Sequence, residues 1–463
     1  MRHTLEEKLN FYAFLCLNTL DDDLYPHAYY GRQKIRPDEI KKAWGKCLRD
    51  ISNKRAPEKL GLYVHLPFCH HKCKFCSCDS YVPGSYREVK TYLRALEKEV
   101  LFFEKTFQKG EFTSVYFGGG TPSLLRMEDL EHLFSLIFTG FRMKKNAQII
   151  FEANPSGLNE KLIELLSRYR TTRLTIGVQS FDRKVLSGIN RFQTREQFLE
   201  GFRLARKYKI PFINIDLMAG LPSQSVASFI RDLKFLLRLK PDMVHIFSFL
   251  PLDYTPFIRE GGSLSRVQTR NRETMLRMAN DILAEYFSCI PHEVMGREGA
   301  ENVQEVDMRR QNSSLLGLGY GSKSHVFGHF WYQHPKTMFF KNEPKERIPD
   351  FIGIPSSLKE EMRKFVINNI QTGFERKAFY RLFKKDILKI FPGEITELAS
   401  LKKVFISRER IISGLTKRRE IILLLKFFYS PERIRTILEH IPRKYDPGKN
   451  YLSRFNYLYA KND

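Results

Sequence analysis

The sequence predicts an α/β protein built from six βα units on a parallel sheet, and two observations carry that prediction. Between residues 61 and 251, short β-rich runs alternate with amphipathic helical stretches, the rhythm of consecutive βα units. The chemically unusual residues then fall at the ends of those runs, on the C-terminal face where parallel α/β folds hold their ligands. On this pattern alone the six units could form an open doubly wound sheet or an incomplete barrel.

The six runs are Tyr63 to Phe68, Val115 to Phe117, Ile149 to Glu152, Leu174 to Val178, Ile213 to Leu217 and Val244 to Phe249. Apolar residues recur every three to four positions in the stretches between them: Glu88 to Phe103, Met127 to Phe138, Glu160 to Tyr169, Glu196 to Lys207 and Val226 to Leu239. Residues 1–60 read as an N-terminal arm with one helix over Pro37 to Ile51. Beyond residue 260, Arg266 to Phe287 reads as helix, Leu315 to Gly328 as a Gly-rich segment with a strand-like end, and Pro335 to Ile354 as a loop. From Ser357 the chain is mostly helical and basic, with a strand-turn element over Leu401 to Ile412. The expected division is 1–60, 61–330 and 331–463, the last helical and winged-helix-like.

Composition narrows the function classes. A hydrophobic share of 42% and a charged share of 28% suit a packed globular chain and argue against disorder. The net charge of +25 attracts anions in general, without choosing among nucleic acid, an acidic membrane surface and a small polycarboxylate. Asp21, Asp22 and Asp23 follow the short apolar stretch Phe11 to Leu17 with no small-residue cleavage site, which speaks against a signal peptide. The run Ile421 to Leu425, continued by Phe427 and Phe428, is too short to span a bilayer. A cytoplasmic, reducing setting is therefore expected. Nucleic acid is disfavoured as a partner, because no aromatic stacking motif accompanies the charge.

Four of the seven Cys lie within residues 69–78, a clustering that argues for metal or catalytic thiolates over a disulfide framework. In Cys69-x3-Cys73-x2-Cys76 three thiols share one loop. Thiolate is the soft ligand of iron-sulfur clusters, and three ligands would leave one iron open to a substrate or cofactor. Engagement of all four thiols, Cys78 included, would instead make a structural zinc site. Spacing leaves both open. Gly118-Gly119-Gly120-Thr121-Pro122 follows the second run, where glycines let backbone approach a ligand closely. Glu152 ends the third run as a carboxylate suited to accept hydrogen bonds from hydroxyl or ammonium groups.

With its flanks, Tyr63-Val-His65-Leu-Pro-Phe-Cys69-x3-Cys73-x2-Cys76-x-Cys78 resembles the signature of radical S-adenosylmethionine (SAM) enzymes, in particular the oxygen-independent coproporphyrinogen III oxidase group. The resemblance implies a partial (β/α)6 radical-SAM barrel. It implies a 4Fe-4S cluster on Cys69, Cys73 and Cys76, with SAM bound to the open iron and cleaved to a 5'-deoxyadenosyl radical. It places cofactor contacts at Tyr63, Phe75, Gly119, Gly120, Thr121, Glu152, Gln179, Arg191 and Asp216, and catalytic positions at Tyr63, His65 and Cys78. A second SAM site would use Gly120, Thr121, Leu250 and Lys323. Leu250 replaces a small residue and Lys323 an apolar one, so this chain departs from the oxidase pattern there.

The reaction so implied is oxidative decarboxylation of coproporphyrinogen III propionates to protoporphyrinogen IX, in anaerobic heme biosynthesis. Its substrate would be a porphyrinogen or another anionic small molecule, and its electron donor a flavodoxin or ferredoxin. Radical methyl transfer, cyclopropanation and a heme chaperone without decarboxylase activity are the rival readings. Cys78 favours the oxidase over the chaperone, whose relatives usually carry an aromatic residue there.

Overall fold

The computed structural model describes residues 33–252, 255–290, 294–300, 302, 304, 308, 311–334, 350–415, 425 and 427–440. Tyr25-Pro26, the stretch 1–32 and residues 421–424 of the apolar run lie outside them.

Thirteen strands form one sheet. In chain order they are β1 (Gln33–Ile35), β2 (Leu60–Leu66), β3 (Phe112–Gly119), β4 (Met143–Ala153), β5 (Arg173–Gln179), β6 (Phe212–Ala219), β7 (Met243–Ser248), β8 (Ser288–Ile290), β9 (Val294–Gly296), β10 (Ser314–Leu318), β11 (Lys323–Val326), β12 (Phe330–Gln333) and β13 (Phe351–Pro355). The six expected runs are β2 to β7, parallel and adjacent in sequence order. Among the described residues no closed barrel forms: the spatial order is β1-β13-β12-β11-β10-β2-β3-β4-β5-β6-β7-β9-β8. Helices Tyr86–Phe107, Met127–Gly140, Glu160–Arg168, Arg195–Lys207 and Val226–Arg238 make the crossovers. Three of the five start on a side-chain cap, from Asn159, Thr194 and Ser225. Thr194 and Ser225 each accept on the hydroxyl from a backbone amide in the first turn and donate their own backbone amide to the side chain of Gln197 or Ser228, a capping box.

The phenylalanines explain how these helices seat. Phe117 on β3 stacks on Phe134 at 4.5 Å, with Phe151 of β4 at 6.1 Å from the same ring. All three rings are fully buried, each worth roughly 2–3 kcal/mol by area.

Tertiary pairing adds what local pattern could not. β10 joins the parallel block beside β2, placing Leu316 opposite Leu62 and Gly317 opposite Tyr63. The segment from Pro335 to Ile354, expected as a loop, ends in a strand: β13 pairs with β12 on one side and β1 on the other. Its Phe-Ile-Gly-Ile-Pro sequence carries too few residues for a period to show, and only its neighbours give it partners. β12 begins at Phe330, so the division expected after residue 330 falls inside a strand of the main sheet. The arm is likewise built in. Helix Pro37–Ser52 buries Trp44, whose indole donates to the Tyr332 hydroxyl at 2.7 Å.

After β13 come helix Leu358–Asn369, β14 (Phe374–Glu375), helices Arg376–Phe383 and Pro392–Ser400, and a hairpin of β15 (Val404–Ile406) and β16 (Arg410–Ser413). β16 lies between β14 and β15. Glu361 on the first of these helices meets His325 of β11 at 2.9 Å in a fully buried contact, joining this part to the main sheet.

Candidate active site

The Cys loop leaves the C-terminal end of β2 and is pinned at several points. Phe68 and Tyr81 form a β-bridge, closed by bonds from the Cys69 amide to the Tyr81 carbonyl (2.8 Å) and from the Tyr81 amide to the Pro67 carbonyl (2.6 Å). Midway, the Lys74 amide donates to Ile189 and the Lys74 carbonyl accepts from Phe257, both at 3.0 Å. Phe75 packs its ring onto the small apolar cluster of Val185, Leu186, Ile189, Met218, Leu221 and Phe249.

Each of the three predicted ligand thiols has a polar neighbour. Cys69 Sγ is 3.5 Å from Thr121 Oγ1, Cys73 Sγ accepts from Arg191 Nη1 at 3.6 Å, and Cys76 Sγ is 3.6 Å from Ser80 Oγ. Burial pushes the Cys69 and Cys73 thiols up. A hydrogen bond from Cys78 holds Cys76 down at about 5, against burial and with help from Lys72. Among the described residues no group of three or more His, Cys, Asp or Glu is gathered closely enough to hold a single metal ion.

The glycine loop lies against the base of the Cys loop. Gly120 donates to Leu66 at 2.8 Å and Thr121 to Phe68 at 2.7 Å, and a Cβ on Gly120 would stand 2.6 Å from the Phe68 carbonyl oxygen. Gly119, at φ +115°, could carry a Cβ only 2.5 Å from the His65 ring. Gly321, from the later Gly-rich segment, would meet the same ring at 2.8 Å. His65 is therefore enclosed. Its Nε2 faces the Asp79 carbonyl at 2.8 Å and must carry the proton, so Nδ1 accepts from Tyr63 at 3.1 Å. Burial lowers the pKa of this ring and keeps it neutral. Both nitrogens are occupied within the protein, which gives His65 a positioning geometry.

Paired across β2 and β3, Tyr63 and Tyr116 lie with ring centroids 5.6 Å apart, and Tyr116 donates to Glu152 at 2.5 Å. The Gly119 amide donates to the other Glu152 oxygen at 3.2 Å. Burial raises the Glu152 carboxyl, and the Tyr116, Gly119 and Arg173 interactions oppose it. Asp216 is pushed to about 7 by burial and by the charge of Glu152, although Asn214 donates to it at 2.7 Å. At the end of β5 the register slips between Gly177 and Gln179, and Gln179 adopts φ +70°. Such a bulge re-aims a side chain. Gln179 Oε1 is buried with no hydrogen-bond partner, at a cost of about 1–3 kcal/mol.

Arg191 is buried and held on every side. It donates to Gln193 at 2.7 Å, to Asn154 at 2.9 Å, to the Gly177 carbonyl and to Cys73. Leu250 is 45% exposed beyond the end of β7, and Lys323 opens β11, separated in the sheet by β10 and β2 to β6.

Comparison with known proteins decides the family. The radical SAM superfamily model matches residues 63–236, the span that holds the Cys loop, the glycine loop and both half-buried carboxylates, Glu152 and Asp216. Residues 63–236 thus carry a radical SAM domain. Proteins similar to this chain include oxygen-independent coproporphyrinogen III oxidases and HemW. The heme chaperone HemW of Lactococcus lactis subsp. lactis is 28% identical over 359 residues, covering 75% of this chain and 92% of that protein. The oxygen-independent coproporphyrinogen III oxidase of Synechocystis sp. is 28% identical over 411 residues, covering 82% and 84%. Among solved structures, the coproporphyrinogen III oxidase HemN of Escherichia coli matches with a TM-score of 0.71 and 23% identity, over 82% of this chain and 92% of that one. That likeness establishes the radical SAM fold. Radical SAM proteins carry a 4Fe-4S cluster and bind SAM.

Tyr116, Lys72, Ser80 and Gln193 also belong to the site and are not singled out by sequence reasoning. Tyr116 had a legible signal, a hydroxyl in an otherwise apolar strand run. Ser80 and Gln193 had none, because loop closure alone brings them to the thiols and to Arg191.

Proposed function

We propose that this chain is a radical SAM enzyme acting on an anionic tetrapyrrole, with oxidative decarboxylation of coproporphyrinogen III propionates as its reaction. The observation that carries the reading is the placement of a three-thiol loop, a glycine loop, an unpaired amide oxygen and two carboxylates at one end of the parallel strands. The residues fit the family's cofactors. Cys69, Cys73 and Cys76 would hold the cluster, and the chemistry supplied on binding is one-electron reduction followed by hydrogen abstraction.

The chain's own residues bind and orient. Gln179 Oε1, without a partner, would accept from a ribose hydroxyl, and Glu152 and Asp216 would accept from hydroxyl or ammonium groups. Phe75 and the glycine loop would receive the adenine and methionine portions. Tyr63 and His65 act as a buried support for the glycine loop. A flavodoxin or ferredoxin would supply electrons.

A second reading, heme chaperone activity without decarboxylation, is favoured by the HemW relative, of which this chain covers 92%. Anaerobic reconstitution with SAM, a reductant and coproporphyrinogen III separates the two. The oxidase reading expects 5'-deoxyadenosine, carbon dioxide and protoporphyrinogen IX. Stable heme binding with no decarboxylated product would replace it with the chaperone reading.

A further inference from the structure

Beside the Cys78 bond to Cys76, three further side-chain donors approach the three ligand thiols, and the direction of each of these three hydrogen bonds is forced by a cation behind it. A guanidinium can only donate, so the Asn154 atom facing Arg191 at 2.9 Å is Oδ1. The Asn154 amide nitrogen therefore faces Thr121, donating to Oγ1 at 3.1 Å. With its oxygen accepting there, the Thr121 hydroxyl proton is left for Cys69 Sγ at 3.5 Å. Arg191 meanwhile donates directly to Cys73 at 3.6 Å.

The third sulfur repeats this logic with another cation. The Lys72 ammonium spends its three N–H groups on the Cys78 carbonyl (3.0 Å), the Ser80 carbonyl (3.1 Å) and the Ser80 hydroxyl oxygen (2.6 Å). Ser80 thus accepts from Lys72 and turns its own proton to Cys76 Sγ at 3.6 Å.

We infer that Arg191 and Lys72, acting through Asn154, Thr121 and Ser80, aim one hydrogen bond at each ligand sulfur and so set the reduction potential of the bound cluster. The inference rests on the cluster reading above. Hydrogen bonds to ligand sulfurs are one of the means by which a protein tunes such a cluster, because they stabilise the extra negative charge of the reduced state. Lys72, Ser80, Asn154 and Thr121 are positioning residues in this scheme.

The test uses the full chain with its cluster reconstituted without oxygen. Iron and sulfide per chain and the spectrum of the reduced wild type establish whether a cluster is present. If it is absent, the cluster reading fails, which is distinct from the outcomes below. With the cluster present, redox titration followed by electron paramagnetic resonance should give midpoint potentials more negative than wild type for Thr121→Val and Ser80→Ala. Thr121→Ser should restore the wild-type value. Asn154→Asp should fall as Thr121→Val does, because a carboxylate takes the Thr121 proton for itself. Lys72→Met should fall at least as far as Ser80→Ala.

Unchanged potentials in Thr121→Val and Ser80→Ala at full iron content would overturn the inference. A second measurement needs no variant. Pulsed resonance of the wild-type cluster in H2O and D2O should detect exchangeable protons coupled to it, and their absence would overturn the inference equally.

Discussion

The Tyr63 hydroxyl donates to His65 Nδ1 at 3.1 Å, because Nε2 of the same ring already gives its proton to the Asp79 carbonyl at 2.8 Å. Asp79 follows the Cys loop and Tyr63 lies on β2, so one neutral imidazole ties strand to loop. The ring is clamped between Gly119 and Gly321, and that makes the glycines testable.

Gly119→Ala places a Cβ 2.5 Å from the ring at φ +115°. Overpacking together with backbone strain should cost roughly 2–4 kcal/mol. Urea unfolding of the purified protein measures it. Gly328→Ala is the control: φ there is +72°, with nothing within 4 Å of the added Cβ, so only the backbone term of about 1–3 kcal/mol applies. Equal losses in the two variants would show that the imidazole contact contributes nothing.

Asp216 should make the fold less stable as pH rises. Its carboxyl is held at about 7, against 3.8 unfolded. A raised acid binds its proton more tightly when folded. Stability is therefore lost between pH 3.8 and about 7 and stays lower above. Asp216→Asn should stabilise the cofactor-free chain by roughly 2–4 kcal/mol at pH 8 and by little near pH 4. Denaturant midpoints at the two pH values decide it. The same substitution should weaken SAM binding, a trade of stability against function.

The His325 and Glu361 contact should behave in the opposite sense. Burial raises the Glu361 carboxyl, but the His325 ring, Lys364 and Ser356 outweigh it and hold it at about 2. Bonds from Asn312 (3.0 Å) and the Gly328 amide (3.2 Å) also converge on it. Its contribution is complete above the ordinary value of 4.5 and is lost as pH falls towards 2. Glu361→Ala at pH 7 should cost about 3–5 kcal/mol, because it strands buried donors. The gap between wild type and variant should shrink below pH 4.5, as read by unfolding midpoints.

Among the clustered thiols, serine substitution should separate ligands from neighbours. Cys69→Ser, Cys73→Ser and Cys76→Ser should each lose most of the iron after anaerobic reconstitution. Cys78→Ser should keep it while shifting the spectrum, because Cys78 hydrogen-bonds Cys76 without replacing it. Loss of metal in all four variants, with zinc in the wild type, would refute the cluster assignment.

The sequence by itself determined the six parallel strands and five crossover helices. Apolar periodicity is a local property, and βα alternation admits few topologies. It also determined which strand ends carry thiols, glycines and carboxylates. Only the tertiary structure decided the rest. The strand status of Phe351–Pro355 depends on β12 and β1 lying to either side, and no local period encodes such partners. His65 was expected among catalytic groups, yet its ring is enclosed by glycines 54 and 256 positions further along the chain. The donors to the three sulfurs come from residues 80, 121 and 191, and only the folded chain brings them to the Cys loop. A residue's type and spacing set what it can do. Its protonation and the direction of its hydrogen bonds depend on neighbours that the sheet alone brings within reach.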